Sequence, residues 1–476
     1  CYRECLDSID GAEVCRAGLA RSHRARLLDE AETEQSVNRG SLHAQQTPSG
    51  FAAISCLSRT LGVRPPSARV VTCSTVPAHA VSAAHTYGGL MFFAVIGHSE
   101  DIDADGALED LIEQCKAELG DRPPQAGMMF AGHEMDRGFL LEGVCDTWPD
   151  LALIGCTTDG ELSSRLGFRQ DSVVLVLFGS DRVEFTVGIG QNLSEDVAGA
   201  CSRAVDAALA DATQAPAICL TLPESLTCSG QAVVEALSDK LGGDVPVFGA
   251  TSGDGYELLN TYQFCGREIF QDSIPVLVLS GPLVYSAAVA SGWEPLGEPG
   301  VVTRSDSTLL IEIDGRPAME FYRRFLGPDG AATSEFPLAI LNEHGAVEAL
   351  RTPRWEETDV AGAINFMSEI SEGASVQITT ADRGAILHGC STSVEKAFAD
   401  YPHGKSPEAA LIFSCCCRRL LLGTRTKEEF DIVATVLGSD LPVAGFYGYG
   451  EIGPPDSSEG LPMYHNEVFV SLILGT

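Results

Sequence analysis

The hydrophobic and polar positions from residue 91 onward follow an order that repeats along the chain. A short apolar strand, an amphipathic helix, a strand, a second helix, a strand, a glycine-rich turn and a final strand follow one another, and the order then begins again. In the first copy, apolar residues recur every three or four positions from Leu108 to Leu119, and residues 126–131 and 173–178 form apolar runs. This periodicity predicts a supersecondary unit that is duplicated along the chain.

Three glycines mark the end of the inner strand in successive copies: Gly155, Gly249 and Gly445. The wider interval before the third glycine leaves room for an insertion, which we place at about 293–373 and expect to be a smaller α+β module. We expect the third copy to begin near Val376. Strands that alternate with helices predict an α/β or mixed α+β fold with mixed sheets, arranged as two domains.

The charge of the chain excludes several classes of function. The 476 residues include 66 acidic and 31 basic side chains, which gives a formal net charge of −35. Such a charge argues against binding to nucleic acid or to anionic membrane surfaces. The charge-free run 273–293 is long enough to span a bilayer, but its Gly281-Pro282 pair predicts two strands joined by a turn. We therefore predict no membrane-spanning helix.

Residues 1–90 differ from the rest of the chain. They contain nine arginines and no lysine, and Met91 is the first methionine in the sequence. We expect Met91 to be the natural start and the preceding segment to be non-native or disordered. A poorly structured native extension is the alternative.

The sixteen cysteines are expected to be reduced, as in a cytoplasmic protein, and mostly buried in the core. Three are consecutive, Cys415, Cys416 and Cys417, and in an extended strand their side chains would alternate between faces. On that reasoning they could not all reach one ion, and no metal site is predicted.

Each copy ends its inner strand in a glycine-rich turn with hydroxyl or acidic side chains, at 155–161, 249–255 and 445–451. Such turns could bind a small polar molecule that carries an ammonium group, or they could be tight turns whose polar groups are internally satisfied. The string Gly448 to Gly453 matches a dinucleotide fingerprint, but prolines follow it where a helix would be required. The sequence contains no nucleophile elbow, Walker loop or zinc-protease motif, so no enzyme activity is predicted.

Several longer segments together resemble one family: IGCTTDGEL at 154–162, SGWEPLGEPGVVT at 291–303, IDGRPAMEFY at 313–322, IFSCCCR at 412–418 and GFYGYGEIGP at 445–454. The chain resembles the FIST family, a bacterial sensory module. The resemblance implies an N-terminal FIST domain at 91–292, a C-terminal FIST domain at 293–476, and ligand binding without catalysis. It also implies output through kinases, cyclases or chemoreceptors, and a subset of the family binds haem, senses nitric oxide and regulates a histidine kinase.

The leading hypothesis is therefore a stand-alone signal-transduction sensor for a small ligand such as an amino acid. Because no output domain is recognisable, we expect the signal to pass to a separate histidine kinase or cyclase. Arg418 would pair with a ligand carboxylate and Glu451 with an ammonium group; a salt bridge within the third copy is the alternative role for Arg418. The expected ligand-binding residues are Thr157, Thr158, Glu161, Thr251, Ser252, Asp254, Arg418, Tyr447, Tyr449, Glu451, His465 and Asn466. No cofactor is assigned; under the alternative of a haem-based nitric-oxide sensor, an unspecified histidine would be the axial ligand.

Overall fold

The computed structural model of the protein describes residues 92–354, 358–454 and 462–476. The prediction about residues 1–90 lies outside the described residues. Residues 90–476 form one compact unit, which contains three copies of the predicted repeat.

Repeat 1 contains the expected four strands and two helices in the expected order, together with a two-stranded hairpin that was not expected. Its elements are β1 (Phe93–Ser99), α1 (Ala104–Leu119), β2 (Ala126–Gly132), α2 (Arg137–Thr147), β3 (Ala152–Thr158), β4 (Glu161–Ser163), β5 (Gly167–Arg169) and β6 (Val173–Gly179).

Repeat 2 has the same order of elements. They are β7 (Glu184–Gln191), α3 (Val197–Leu209), β8 (Pro216–Thr221), α4 (Gly230–Leu241), β9 (Val247–Ala250), β10 (Gln263–Cys265), β11 (Glu268–Phe270) and β12 (Ser273–Ser280).

Repeat 3 begins with β13 (Val284–Ala290) and is then interrupted by an inserted module. The inserted elements are β14 (Glu294–Asp306), β15 (Leu309–Ile313), β16 (Arg316–Pro317), α5 (Ala318–Leu326), β17 (Leu338–Leu341), β18 (Val347–Arg351), β19 (Ile364–Asn365) and β20 (Ser375–Thr380). Repeat 3 resumes with α6 (Arg383–Ala399), β21 (Ala409–Cys415), α7 (Cys416–Leu422), α8 (Lys427–Leu437), β22 (Val443–Gly448), β23 (Glu451–Gly453), β24 (Met463–His465) and β25 (Phe469–Gly475).

The predicted start of repeat 3 near Val376 is wrong. Val376 lies in β20, which pairs with β14 and β17 inside the inserted sheet. The first strand of repeat 3 is β13, which pairs along its full length with β25. The insertion thus separates the first strand of the repeat from its first helix, and the charge-free run 273–293 forms β12 and β13, as predicted.

Most helices of the repeats begin at a side-chain cap. Asp103, Asp136, Asp196, Ser229 and Asp382 each accept a hydrogen bond from an amide of the following helical turn. These short polar side chains satisfy a donor that would otherwise lack a helical partner. Helix α7 differs, because it follows β21 directly and the residue at its N-cap is Cys415, which makes no side-chain capping bond.

Each repeat contributes a hairpin to the sheet of another repeat. The β10–β11 hairpin of repeat 2 completes the sheet β1-β6-β2-β3-β10-β11, and β23–β24 of repeat 3 completes β24-β23-β9-β8-β12-β7. The β4–β5 hairpin of repeat 1 completes β13-β25-β21-β22-β4-β5. In all three sheets the pair formed by the second and third strands of the repeat is parallel, and the other neighbours are antiparallel. The exchange is cyclic, so the three repeats have an approximate threefold arrangement.

The three sheets share one apolar core. Side chains from the inner faces of all three, including Phe130, Leu220 and Phe446, form a continuous buried cluster. The outer face of each sheet packs against two helices of its own repeat in a separate cluster. Burying one phenylalanine side chain of this kind stabilises the fold by about 1.5–3 kcal/mol. The mixed α/β fold class is as predicted.

The described cysteines fit the prediction of core positions. All eleven have free thiols, and most are buried. Among the residues that the structure describes, no helix combines the length and the apolar character needed to span a bilayer.

Candidate functional site

The three glycine-rich turns meet at the centre of the threefold arrangement. We call residues 155–161, 249–255 and 445–451 the first, second and third bends. Equivalent main-chain hydrogen bonds connect them in a ring: Gly253 N to Thr157 O at 2.8 Å, Asp159 N to Tyr447 O at 2.8 Å, and Tyr449 N to Thr251 O at 3.4 Å. The cyclic exchange of hairpins produces this convergence, because each bend leads into, or pairs with, an exchanged hairpin.

Glycine is required at the start of each bend by the closeness of the neighbouring strand. A Cβ atom at Gly155, Gly249 or Gly445 would collide with a main-chain carbonyl oxygen of the adjacent parallel strand. The three oxygens belong to Met129, Thr221 and Ile412, which occupy equivalent positions. Only a residue without a side chain allows this approach.

Glu161 is the last residue of the first bend and is fully buried. Its carboxylate accepts hydrogen bonds from the Thr158 hydroxyl and from the Ser172 hydroxyl, the latter at 2.5 Å, and also from the Ser172 amide at 3.1 Å. Burial raises the pKa of the Glu161 carboxyl to about 8. The polar group of the first bend is therefore satisfied by its own repeat.

Gln263 occupies the equivalent position in repeat 2. Its amide nitrogen donates to the Ser252 hydroxyl at 2.7 Å and to the Thr261 hydroxyl at 3.2 Å, while its oxygen accepts from the Ser273 hydroxyl at 3.1 Å. The second bend is thus also satisfied by neighbouring hydroxyl groups.

Glu451 occupies the equivalent position in repeat 3, but it lacks the hydroxyl partners of the other two. Gly448 and Val468 stand where repeat 1 has Thr158 and Ser172. The Val468 amide donates to Oε2 at 3.3 Å, and Oε1 is buried without a hydrogen-bond partner among the described residues. Burial raises the pKa of the Glu451 carboxyl well above its usual range. The third bend therefore has unused acceptor capacity.

Tyr449 connects the third bend to the second. Its hydroxyl donates to Asp254 Oδ1 and accepts from the amides of Asp254 at 3.1 Å and Tyr256 at 2.9 Å. The Asp254 carboxylate also accepts three amide hydrogen bonds of 2.7–2.9 Å from residues 258–260. Asp254 thus holds the loop that follows the second bend.

Arg418 lies in α7 and is fully buried in an internal network. Its Nη2 lies 2.6 Å from Glu429 Oε1 and donates to the Ile386 carbonyl at 2.9 Å, and its Nη1 donates to the Ser291 carbonyl. Tyr447 donates to the other oxygen of Glu429 at 2.6 Å. The salt bridge within repeat 3, which was the alternative role for Arg418, is the arrangement that the structure shows.

The next residue, Arg419, places its guanidinium against the first bend. Its Nη2 lies 2.6 Å from Asp159 Oδ2, and its side chain is 12 % exposed. The other oxygen of Asp159, Oδ1, is buried without a hydrogen-bond partner among the described residues. Burial raises the pKa of the Asp159 carboxyl, although the Arg419 guanidinium opposes the shift. Asp159 and Arg419 were not among the ligand-binding residues expected from the sequence. The signal that could have pointed to Asp159 is its position as an acid within the first glycine-rich turn.

His465 and Asn466 lie at the edge of the site. His465 Nε2 is 3.0 Å from the Pro454 carbonyl oxygen, and burial lowers the pKa of this imidazole to about 4. Asn466 accepts from the Ser368 hydroxyl at 3.2 Å and contacts the Tyr449 carbonyl at 3.5 Å. Asn466 therefore connects the inserted module to the third bend.

The structure places all twelve predicted ligand-binding residues in the interior. Those of the three bends lie together, whereas Arg418 is directed into repeat 3. The buried residues are Thr157, Thr158, Glu161, Thr251, Ser252, Asp254, Arg418, Tyr447, Tyr449, Glu451, His465 and Asn466.

The prediction that the three consecutive cysteines cannot converge is wrong. It assumed an extended chain, but β21 ends at Cys415 and α7 begins at Cys416. This change of backbone direction places all three sulfur atoms within 4.8 Å of one another, and the Sγ atoms of Cys416 and Cys417 are 3.9 Å apart. Burial contributes to raising the pKa of each thiol well above its usual range.

A second buried network, around His98, contains the histidine, serine and acid of a catalytic triad but connects them in a different order. His98 Nε2 is 2.9 Å from the Ser172 hydroxyl, which in turn donates to Glu161. His98 Nδ1 is 2.7 Å from the Ser163 hydroxyl. In a catalytic triad the acid orients the imidazole rather than the serine, so these contacts are structural.

Two adjoining segments of the chain match family models. Residues 125–316 match the FIST N domain, and residues 318–454 match the FIST C domain. The chain belongs to the FIST family. FIST domains are sensory domains of signalling proteins.

Two mycobacterial relatives, both named as uncharacterised proteins, match this chain along most of their length. The protein Rv0628c of Mycobacterium tuberculosis is 27% identical over 372 residues, which cover 75% of this chain and 94% of the relative. The protein Mb0898c of Mycobacterium bovis is 26% identical over 364 residues, which cover 74% and 92%.

Two solved structures resemble the chain weakly. A cyanuric acid hydrolase has a TM-score of 0.33 and 12% identity, covering 80% of this chain and 99% of the hydrolase. A chorismatase has a TM-score of 0.32 and 8% identity, covering 82% and 100%. At these TM-scores neither likeness bears on the function of this FIST protein.

Haem is implied for a subset of the FIST family, and the buried imidazoles show whether the residues fit it. Both ring nitrogens of His98 face serine hydroxyls, and His465 Nε2 faces a carbonyl oxygen. An axial ligand requires a ring nitrogen that faces the iron. His98, with both ring nitrogens hydrogen-bonded, does not fit that requirement.

Proposed function

We propose that this FIST protein is a cytoplasmic sensor that binds a small polar ligand with an ammonium group, such as an amino acid, where the first bend meets α7. The observation that carries the proposal is the unpaired Oδ1 of Asp159 in the ring of bends. A buried acceptor without a partner is costly, and a ligand ammonium group would satisfy it.

Arg419 supplies the second half of the proposed site. It contacts Asp159 and donates to Gln170 at 3.2 Å, and it keeps some exposure to solvent. A ligand carboxylate would pair with this guanidinium, so an α-amino acid has the matching pair of charges. Arg418 cannot serve in this way without leaving Glu429, so the proposed carboxylate partner moves by one residue from the sequence-based expectation.

We assign the protein no catalysis of its own. The strongest nucleophiles in the site are the thiols of Cys415, Cys416 and Cys417, and their raised pKa values keep them protonated. A thiol in this state is a weak nucleophile.

The proposed output is a separate signalling protein such as a histidine kinase or cyclase. The helices and strands of the described residues are all accounted for by the three repeats and the inserted module. Because the bends connect all three repeats, occupation of Asp159 would be transmitted through the ring of main-chain hydrogen bonds.

Isothermal titration of the full chain with a panel of amino acids and small carboxylic acids tests the proposal. We expect saturable binding of one molecule per chain and loss of binding in Asp159→Asn. The matched control is Asp146→Asn, since Asp146 forms an ion pair of the same 2.6 Å length with Arg267 at the surface. Absence of heat with every compound, or equal binding by Asp159→Asn, would refute the proposal.

A further inference from the structure

The three thiols of Cys415, Cys416 and Cys417 form a cluster whose geometry suits a single metal ion. All three sulfur atoms lie within 4.8 Å of one another, and one pair is 3.9 Å apart. In a tetrahedral zinc site with Zn–S bonds of about 2.3 Å, two sulfur ligands are about 3.8 Å apart. The sulfur atoms therefore need only small movements to bind one ion.

Two carboxyl groups with unused oxygen atoms lie beside this cluster. The carboxyl of Glu451 interacts with the Cys415 thiol, and that of Glu467 interacts with the Cys417 thiol. Both residues are fully buried, and apart from these thiols Glu451 Oε1 and Glu467 Oε2 have no hydrogen-bond partner among the described residues. An unpaired buried carboxylate oxygen is stabilised by a cation.

Glu467 is also held by Thr352, whose hydroxyl donates to its Oε1 at 2.8 Å. Its φ of +63° recurs as +54° at Asp171 and +47° at Asp272, the equivalent residues of the other repeats, so this backbone conformation belongs to the repeat and not to the thiol cluster.

This cluster occurs in only one of the three repeats. Equivalent amides donate to equivalent carbonyls in each repeat: Gly132 to Ser172 at 2.8 Å, Glu224 to Ser273 at 3.0 Å, and Cys415 to Val468 at 3.1 Å. The position of Cys415 is thus glycine in repeat 1 and glutamate in repeat 2. Repeat 3 therefore has the three thiols, and it also has Gly448 and Val468 in place of the two hydroxyl residues that bind the equivalent carboxyl in repeat 1.

We propose that Cys415, Cys416 and Cys417 bind one Zn²⁺ ion, with the Glu451 carboxylate as the fourth ligand. Zinc accepts both thiolate and carboxylate ligands in a tetrahedral site, whereas Cu⁺ favours soft ligands and Mg²⁺ or Ca²⁺ favours oxygen. The three thiol protons leave to solvent when the metal binds. The zinc site uses residues other than those of the proposed ligand contact at Asp159, and either site can be tested without the other.

The test measures Zn²⁺ and Co²⁺ binding by the reduced full chain and by Cys417→Ala. We expect one Zn²⁺ per chain, a thiolate-to-cobalt charge-transfer band and the intense visible bands of tetrahedral Co²⁺. Cys417→Ala should weaken binding by more than about 100-fold, beyond the effect of removing an outer-shell contact. Cys201→Ala is the matched control, because Cys201 is also a buried helical cysteine with a free thiol.

The comparison between variants decides the outcome, because five further cysteines lie in residues 1–91. Equal binding by the wild type and Cys417→Ala would overturn the proposal. Should Cys417→Ala not fold, as judged by circular dichroism, Glu451→Gln provides the second test. Because an amide keeps the size and shape of the carboxyl group, this variant should fold, bind Zn²⁺ more weakly and alter the visible cobalt spectrum. An unchanged affinity and spectrum would remove Glu451 from the site and contradict the proposal.

Discussion

The guanidinium of Arg418 and the carboxylate of Glu429 form an ion pair that is closed to water, with 2.6 Å between Nη2 and Oε1 and no exposed surface on either side chain. The pair connects α7 to α8, and Arg418 also binds the Ser291 carbonyl close to the end of β13. It therefore holds together parts of repeat 3 that the inserted module separates in sequence.

Glu429→Gln should lower the free energy of unfolding by about 3–5 kcal/mol, because it leaves the buried Arg418 charge uncompensated. Urea unfolding followed by circular dichroism measures the loss. Glu428→Gln is the control, since Glu428 forms an exposed pair with Arg425 and should have a much smaller effect. Equal losses in the two variants would contradict the structural role of the buried pair.

Glu161→Gln should gain stability relative to the wild type as the pH rises. Burial raises the pKa of Glu161 from 4.5 to about 8, so the folded state holds a proton that the unfolded state releases. The wild type therefore loses stability through this window, by up to about 1.4 kcal/mol per pH unit. Repeat 2 has a glutamine, Gln263, at the equivalent position, so the side chain of the variant should fit there.

Unfolding of both proteins at about pH 5 and about pH 8 tests this prediction. Other titrating groups are common to both proteins and cancel in the difference. A stability difference that does not change with pH would show that Glu161 is already ionised in the folded protein.

Gly445→Ala should destabilise the fold by at least about 1–3 kcal/mol, because its Cβ would collide with the Ile412 carbonyl oxygen. Thermal unfolding measures the effect. Gly138→Ala in α2 has only ordinary contacts and should be neutral or stabilising. If Gly445→Ala matched that control, the close strand approach would not be what requires glycine.

Asp254→Ala should increase hydrogen exchange at residues 258–260, whose amides bind its carboxylate. Mass spectrometry of the exchanged peptides would detect the change. The control Asp136→Ala removes one capping bond of α2, so its effect should remain within that helix. Unchanged protection at 258–260 would show that the loop is held by other contacts.

The order of elements in the repeats could be predicted from the sequence, because strands and amphipathic helices leave periodic patterns within short windows. The exchange of hairpins could not be predicted. β4 pairs Leu162 with Gly445, and nothing within either segment specifies a partner so distant in sequence. The insertion was located, but the start of repeat 3 was misplaced because β13 precedes the interruption.

The glycine-rich turns could be recognised in the sequence, but the roles of individual residues depend on contacts across repeats. Arg418 and Arg419 are adjacent in sequence, yet one is directed to Glu429 and the other to Asp159. The thiol cluster was missed because it depends on a strand becoming a helix at Cys416. That boundary follows no glycine, proline or capping side chain.

The circular exchange of hairpins determines when this fold can be completed during synthesis. The outer edge of β9 is covered by β23, which lies more than two hundred residues further along the chain and is therefore synthesised much later. The nascent chain must therefore keep that edge open until its last strands emerge, and an unpaired edge invites aggregation. Truncation before residue 451 would leave the edge permanently exposed, so the C-terminal strands protect the middle of the chain as well as their own repeat.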